Sequence, residues 1–374
     1  MVFTMPDLVC NERSYGRIAF ILFSLSTASC TLSQTCPLRY SVVDRGPSLV
    51  RTLVNTPGLN SHGDLATWHV TSPGRLQGVV FSQKRTMDIT GEGEFSVVYP
   101  ADINDWLTVV GTLQMPQDLR FTQAFKWSDN KIEILRTLGG PFGTSSAINN
   151  AGDVVGNAQT ARGMRHAVLW RAESPIDLGL LARGDYSSAR DINDKGDIVG
   201  EANTIPNGRL SAFLWHKGRM RQLPKLAGST FCSAQAVNNL SEIVGSCDLP
   251  NGTVHGVIWR GGHVDDLGAL GDDDSPSTAL DINLHRQVVG SSEVTEGKLR
   301  AFLWEKGQLF DLNRTIPPNS GWLLLAASRI NDKGEIAGRG YFEGAIRAFI
   351  LRPEPLPEEK RDHRCLGLTA KSSR

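Results

Sequence analysis

Ile192-Asn193-Asp194-Lys195-Gly196-Asp197-Ile198-Val199-Gly200 is the stretch whose reading decides the fold. An apolar residue leads into an asparagine, a short turn with a glycine follows, and a β-branched pair runs into a second glycine. Asparagine and glycine suit a tight turn, because glycine reaches positive φ without steric cost. The β-branched pair suits a strand. The stretch therefore reads as a hairpin. It returns as Ile103-Asn104 to Gly111, Ile148-Asn149 to Gly156, Val237-Asn238 to Gly245, Ile282-Asn283 to Gly290 and Ile330-Asn331 to Gly338. A degenerate first copy is Leu59-Asn60 with Gly63. The asparagines fall at 60, 104, 149, 193, 238, 283 and 331, so the spacings are 44, 45, 44, 45, 45 and 48 residues. Self-similarity at that period marks a repeat architecture.

Two more elements travel with each copy. One is a small residue, two more residues and an aromatic, as in Ala124-Phe125-Lys126-Trp127, Ala167-Val168-Leu169-Trp170 and Ala212-Phe213-Leu214-Trp215. It continues as Gly256-Val257-Ile258-Trp259 and Ala301-Phe302-Leu303-Trp304, and ends as Ala348-Phe349-Ile350-Leu351. The other is a short Asp-Leu strand, as in Ile176-Asp177-Leu178, Asp265-Asp266-Leu267 and Phe310-Asp311-Leu312. Each copy thus offers four short strands, a to d, with the asparagine turn between a and b. Four antiparallel strands in about 45 residues match one blade of a β-propeller. Residues 40–353 span 314 positions, against 315 for seven repeats of 45. The last copy lacks strand d, while Tyr40-Ser41-Val42-Val43-Asp44 is a spare strand of that kind ahead of the first. The expectation is an all-β, seven-bladed propeller of four-stranded antiparallel blades, closed by the amino-terminal strand completing the last blade. Closure removes two exposed sheet edges. An open β-solenoid is the alternative, with shorter coils and no use for a spare strand.

These elements resemble the HAF repeat, named for His-Ala-Phe, of predicted extracellular proteins found mostly in bacteria. Asp-Leu-Gly, Leu-Gly-Gly and His-Ala-x-Leu-Trp all occur, and the likeness covers residues 40–351. The histidine stands only at His166 and His255; the other copies carry Gln77, Gln123, Ser211, Arg300 and Arg347. The resemblance implies export and a propeller-like fold, and brings neither an activity nor catalytic residues. Relatives can end in a hydrophobic sorting helix after Pro-Glu-Pro. Here Pro353-Glu354-Pro355 runs into a polar tail.

Residues 1–39 read as an export signal and short linker. Arg13 and Arg17 precede the apolar run Ile18-Ala19-Phe20-Ile21-Leu22-Phe23, and small residues follow up to Cys30. Thr27-Ala28-Ser29-Cys30 resembles a lipoprotein cleavage box, which makes Cys30 a candidate lipidation site and a lipid anchor an option. No other stretch is long and apolar enough to span a bilayer, so none is expected in the mature chain. Residues 354–374 are expected to be a disordered tail. The expected location is periplasmic, cell-surface or extracellular. With 39 Lys+Arg against 39 Asp+Glu, the chain lacks the basic excess of a nucleic-acid binder. Six cysteines form no Cys-x-x-Cys pair, so no structural zinc site is expected. Cys232 and Cys247 flank one asparagine hairpin at positions that should face each other across strands a and b, and are expected to form a disulfide.

The chemistry is less legible. The asparagines are expected to bond their own turns. The repeated tryptophans 127, 170, 215, 259 and 304 are expected to fill the wedges between blades, although flat rings can also stack sugars. Asp102, Asp191 and Asp281 stand two residues before the asparagine in every second copy, where an innermost strand a aims them at a central channel. Three carboxylates there could hold a hard cation such as structural calcium, and their structural role is loop capping. Asp272-Asp273-Asp274 lies in a d-to-a loop, on the face where propellers commonly bind, and is a candidate for calcium or a basic partner. No nucleophile, metallohydrolase or phosphate-loop motif occurs. The reading is a binding module for a glycan or protein, without an assigned cofactor. The alternative is a propeller-based glycan hydrolase or lyase, which needs a pair of carboxylates about 5–9.5 Å apart.

Overall fold

The computed structural model describes residues 39–47, 57–72, 75–83, 85–90, 97–115, 118–172 and 174–354. The expected export signal, Cys30 and the carboxy-terminal tail lie outside the described residues, as do Cys10, Cys36 and Cys365. Among the described residues every regular element is a strand, except one 3-10 turn at Leu312–Arg314.

One repeat shows how the sequence does this. Ser187–Ile192, Ile198–Asn203, Leu210–His216 and Arg219–Gln222 are strands a to d, each paired antiparallel with the next. The a-to-b turn needs a left-handed residue three positions after the asparagine. Gly196 supplies it at φ 78°, while Leu107, Ser241 and Arg286 adopt φ of 60–62° at the same place. The glycine of strand b has another cause. Strand a carries a bulge between Ala189 and Asp191, as five other copies do. Here the Ser188 carbonyl lies so near Gly200 that an added Cβ would sit 2.1 Å from it. A bulge also re-aims the side chain that follows. That residue is the one two positions before the asparagine.

Among the described residues there are five four-stranded sheets and one of eight strands. The larger sheet is two a-to-d runs, Gly58–Leu59 through Thr86–Ile89 and Val97–Ile103 through Lys131–Ile134, joined at the parallel pair Leu76 and Val97. In the sheet of the last copy, Tyr40–Pro47 occupies the place of strand d on Ala345–Pro353, with Tyr40 opposite Pro353 and Asp44 opposite Phe349. Asp44 thereby takes the position that Asp177 and Asp266 hold in their own sheets. Arg347 meets it at 2.8 Å, as His166 and His255 meet their aspartates at 2.9 Å.

Apolar residues from successive copies fill the seams between sheets. Ala147, Val155 and Leu169 pack with Ala189, Ile198 and Phe213, for example, and the same alliance recurs from copy to copy. Ala337 and Ile350 of the last copy pack with Leu65 of the first. Trp127, Trp170, Trp259 and Trp304 are buried in these seams, and Trp215 is partly buried against one. The set of sheets closes on itself.

Candidate functional site

The inner ends of the sheets are stitched together by the asparagines. Oδ1 of Asn193 accepts from the Lys195 and Asp197 amides at 3.0 and 2.9 Å, which braces its own turn. Its Nδ2 donates to the Asn238 carbonyl of the next copy at 2.9 Å. The same donation runs from Asn60 to Asn104, then to Asn149, Asn193, Asn238, Asn283 and Asn331, and back to Asn60, at 2.9–3.2 Å. Bonding within the turn is half of what these residues do. The other half is a circuit of amides that no single copy could reveal.

Deeper in the channel lie Asp102, Asp191, Asp281 and Arg329; the same place, two positions before the asparagine, holds Gly58, Ala147 and Ala236 in the other copies. Asp102, Asp191 and Asp281 each accept the amide of the following copy, from Ile148 at 3.0 Å, Val237 at 2.8 Å and Ile330 at 2.8 Å. Each also accepts the amide next to it in its own strand, from Ile103, Ile192 and Ile282. One aspartate therefore serves two copies, which is why Asp102, Asp191 and Asp281 alternate with Ala147, Ala236 and Arg329. An odd number of copies leaves one over. That copy has Gly58, where a Cβ would lie 2.7 Å from the Asp102 Cα.

Burial is the main influence on these carboxyls and pushes Asp102 up to about 6 and Asp281 up to about 7, against the opposing charge of Arg329. Asp191 is raised for the same reason. Burial opposes the charge of Arg329, but Asp281, Asp102 and Asp191 outweigh it and hold its pKa above the usual value. Arg329 Nη1 donates to the Ser328 carbonyl at 3.2 Å.

The rim of the channel is built from the residue after each asparagine: Ser61, Asp105, Asn150, Asp194, Asn239, Leu284 and Asp332. Main-chain amides bond forward around it. Ser61 donates to Asp105, Asp105 to Asn150, Asn150 to Asp194 and Asp194 to Asn239, all at 2.9–3.0 Å. Leu284 has no acceptor to continue the run, which resumes with its own amide on Asp332 at 2.8 Å. Asp102, Asp191, Asp281 and Arg329, with the asparagine turns and the rim, line a cavity of about 210 Å³.

Trp106 stands beside this rim and is 75% exposed, the most exposed large apolar side chain among the described residues. It is nonetheless tethered, since its indole Nε1 donates to the Asn150 carbonyl at 3.0 Å. Sequence reading missed it by following the five tryptophans that repeat. The available signal was its departure from pattern, since the same turn position holds His62, Ala151, Lys195, Leu240, His285 and Lys333 elsewhere.

The other candidates are placed as follows. Asp102, Asp191 and Asp281 do line the channel, at its a-to-b end. No group of three or more His, Cys, Asp or Glu side chains among the described residues has a geometry to hold a metal ion, so these residues do not form a ready calcium cage. The Asp272–Asp274 run lies at the opposite end of strand a from this cavity, and its acids serve their own neighbourhood. Asp272 accepts from Ser275 Oγ at 2.7 Å, and Asp274 accepts from Asn251 Nδ2 at 2.6 Å. A pocket on that face is lined by one carboxylate, Asp248. Burial opposes the charge of Asp248, but hydrogen bonds from Thr230, Phe231 and Ser229 hold its carboxyl well below the usual range. Cys232 lies opposite Cys247 across strands a and b, and the two form a disulfide with an S–S distance of 2.03 Å.

No protein-family model matches the chain, and neither does any curated protein. Solved structures do. A puromycin hydrolase superposes with TM-score 0.55 at 10% identity, over 83% of this chain and 56% of that one. A Mycobacterium tuberculosis puromycin-hydrolyzing peptidase gives 0.51 at 12% identity, over 87% and 53%. Oligogalacturonate lyase from Vibrio parahaemolyticus gives 0.50 at 9% identity, over 87% and 98%. The chain spans just over half the length of the two puromycin-hydrolyzing proteins. At these identities the likeness is one of fold alone, and the fold is a β-propeller. No helix among the described residues is long and apolar enough to cross a membrane.

Proposed function

We propose that the chain is an exported, seven-bladed β-propeller of the HAF-repeat kind. It acts as a binding module whose glycan or protein ligand sits at the channel mouth on the a-to-b face. The count of seven is supported by the asparagine circuit, which returns to Asn60 after seven donations. Export is supported by the buried disulfide, a bond at home in oxidising compartments.

One observation carries binding over catalysis. The three acids deepest in the cavity each accept main-chain amides from two successive copies, which gives them the task of tying copies together. The rim offers one side chain per copy around an open mouth. The structural neighbours include a hydrolase and a lyase, and the corresponding enzyme reading requires a free carboxylate pair on the opposite face. A pocket there, beside Phe231, has one carboxylate, which accepts hydrogen bonds from Thr230, Phe231 and Ser229.

The test is a binding screen with the purified mature chain against a glycan array and the secreted proteins of its host. Each hit is then incubated with the chain to look for turnover. Stoichiometric binding without product is the expected result. Cleavage of a hit would establish the enzyme instead.

A further inference from the structure

We infer that Trp106 and the rim beside it form a subsite for a neutral sugar ring, which stacks on the indole while its hydroxyls donate to the rim carboxylates. This rests on the channel mouth being the binding surface, as proposed above. The first ground is cost. A large aromatic left in water forgoes the burial that makes such side chains valuable in a core. The chain buries four of its repeated tryptophans and leaves this one out.

The second ground is order. Two bonds fix Trp106: its main-chain amide donates to Asn104 Oδ1 at 3.1 Å and its indole to the Asn150 carbonyl at 3.0 Å. With the indole N–H occupied, what remains on offer is the flat π surface, the part of tryptophan that packs against the C–H face of a sugar.

The third ground is what lies next to the ring. Asp105 accepts from the Ser61 amide with Oδ1 and from Asn150 Nδ2 with Oδ2, at 2.9 and 3.0 Å. Each oxygen keeps a second lone pair, which is what a hydroxyl donor needs. Asn150 Nδ2 has a second hydrogen to return to a hydroxyl oxygen. The cavity beyond adds Asp194 and Asp332 at its rim, with the partly neutralised Asp102, Asp191 and Asp281 around Arg329 below, an acidic excess that disfavours an anionic sugar. Neutral hydroxyls facing an indole and a carboxylate meet both requirements.

The intact chain is titrated by calorimetry with cellohexaose, chitohexaose, polygalacturonate and an arginine-rich peptide. The proteins compared are the wild type, Trp106→Ala and Leu284→Arg, the last blocking the mouth away from the tryptophan. The expected result is binding of a neutral hexaose, weakened at least about tenfold in Trp106→Ala at unchanged melting temperature. Polygalacturonate should bind at least about tenfold more weakly than that hexaose. If Leu284→Arg abolishes binding while Trp106→Ala does not, the mouth stands and the subsite is refuted. If neither variant changes the affinity, both readings fall. A wild type that binds neither hexaose refutes the sugar, and peptide binding lost in Trp106→Ala identifies a cation on the ring instead.

Discussion

Replacing Asn104 by aspartate separates the two jobs of the asparagine. Asn104 is suited to this because its turn has Thr108, not an acid, four residues on. Oδ1 of Asn104 accepts from the Trp106 and Thr108 amides at 3.1 and 3.0 Å, and an aspartate retains that acceptor. Nδ2 donates to the Asn149 carbonyl at 3.2 Å, and there an ionised carboxylate presents an oxygen to an oxygen. If asparagine served its own turn alone, Asn104→Asp would be nearly neutral. If the circuit matters, the Asn149 carbonyl keeps the Gly152 amide at 3.1 Å but loses its second donor, and a charge is added beside it at a site 5% exposed. Losing one hydrogen bond costs about 0.5–1.5 kcal/mol, and the buried charge facing a carbonyl oxygen adds to it, so a loss of about 2–4 kcal/mol is expected at neutral pH. The penalty should shrink in acid, where the protonated carboxyl regains a hydrogen to donate. Urea unfolding at pH 7 and pH 4, for wild type and variant, measures both. A variant within about 0.5 kcal/mol of wild type at pH 7 would refute the circuit as a source of stability.

The channel aspartates make stability depend on pH in an unusual direction. Their folded pKa values, about 6 for Asp102 and about 7 for Asp281, lie above the ~3.9 of an unfolded chain. Their contribution is complete below pH ~4 and is lost as the pH rises through 6 to 7. Their combined contribution to unfolding free energy should therefore decline from pH 5 to pH 8, and Asp281→Asn should flatten the slope; an unchanged slope would count against the assignment. Replacing Cys232 and Cys247 together by serine should cost ~3 kcal/mol, as expected for a loop of 15 residues. Peptide mapping of the wild type without reductant should find the bridge, and free thiols at both positions would remove the basis for that figure. Deleting residues 40–47 bares the edge of Ala345–Pro353 and should lower the melting temperature of the whole ring. A deletion that melts like the full chain would show that the ring closes without that strand.

The all-β class and the four-stranded repeat were legible because both follow from local periodicity, and each copy repeats the statement. The place of Tyr40–Pro47 was legible for a related reason, one strand missing at one end and one spare at the other. Asp44 opposite Phe349 adds a signal that could also have been read: the position carries aspartate where strand c offers His166, His255 or Arg347. What escaped were relations between copies. The reach of Asn193 to the Asn238 carbonyl depends on how sheets are arrayed, which no local pattern encodes. The alternation of Asp102, Asp191 and Asp281 was visible, but its cause lay in amides of the following copy. The channel cavity lies at the end of strand a opposite the loop run of Asp272 to Asp274. Trp106 escaped because a search for regularity discards the residue that breaks it.

The pairing of Tyr40 with Pro353 also determines how the molecule meets a pulling force. The two ends of the described chain lie side by side, with the Glu354 amide donating to the Arg39 carbonyl at 2.9 Å. Tension drawing those ends apart acts on one hydrogen-bonded pair at a time, starting there, in the manner of a zipper rather than of a lap joint. Force applied through both ends would therefore open the ring by peeling Tyr40–Pro47 away, long before it tore any sheet along its length. Held by one end only, the same seam carries no load.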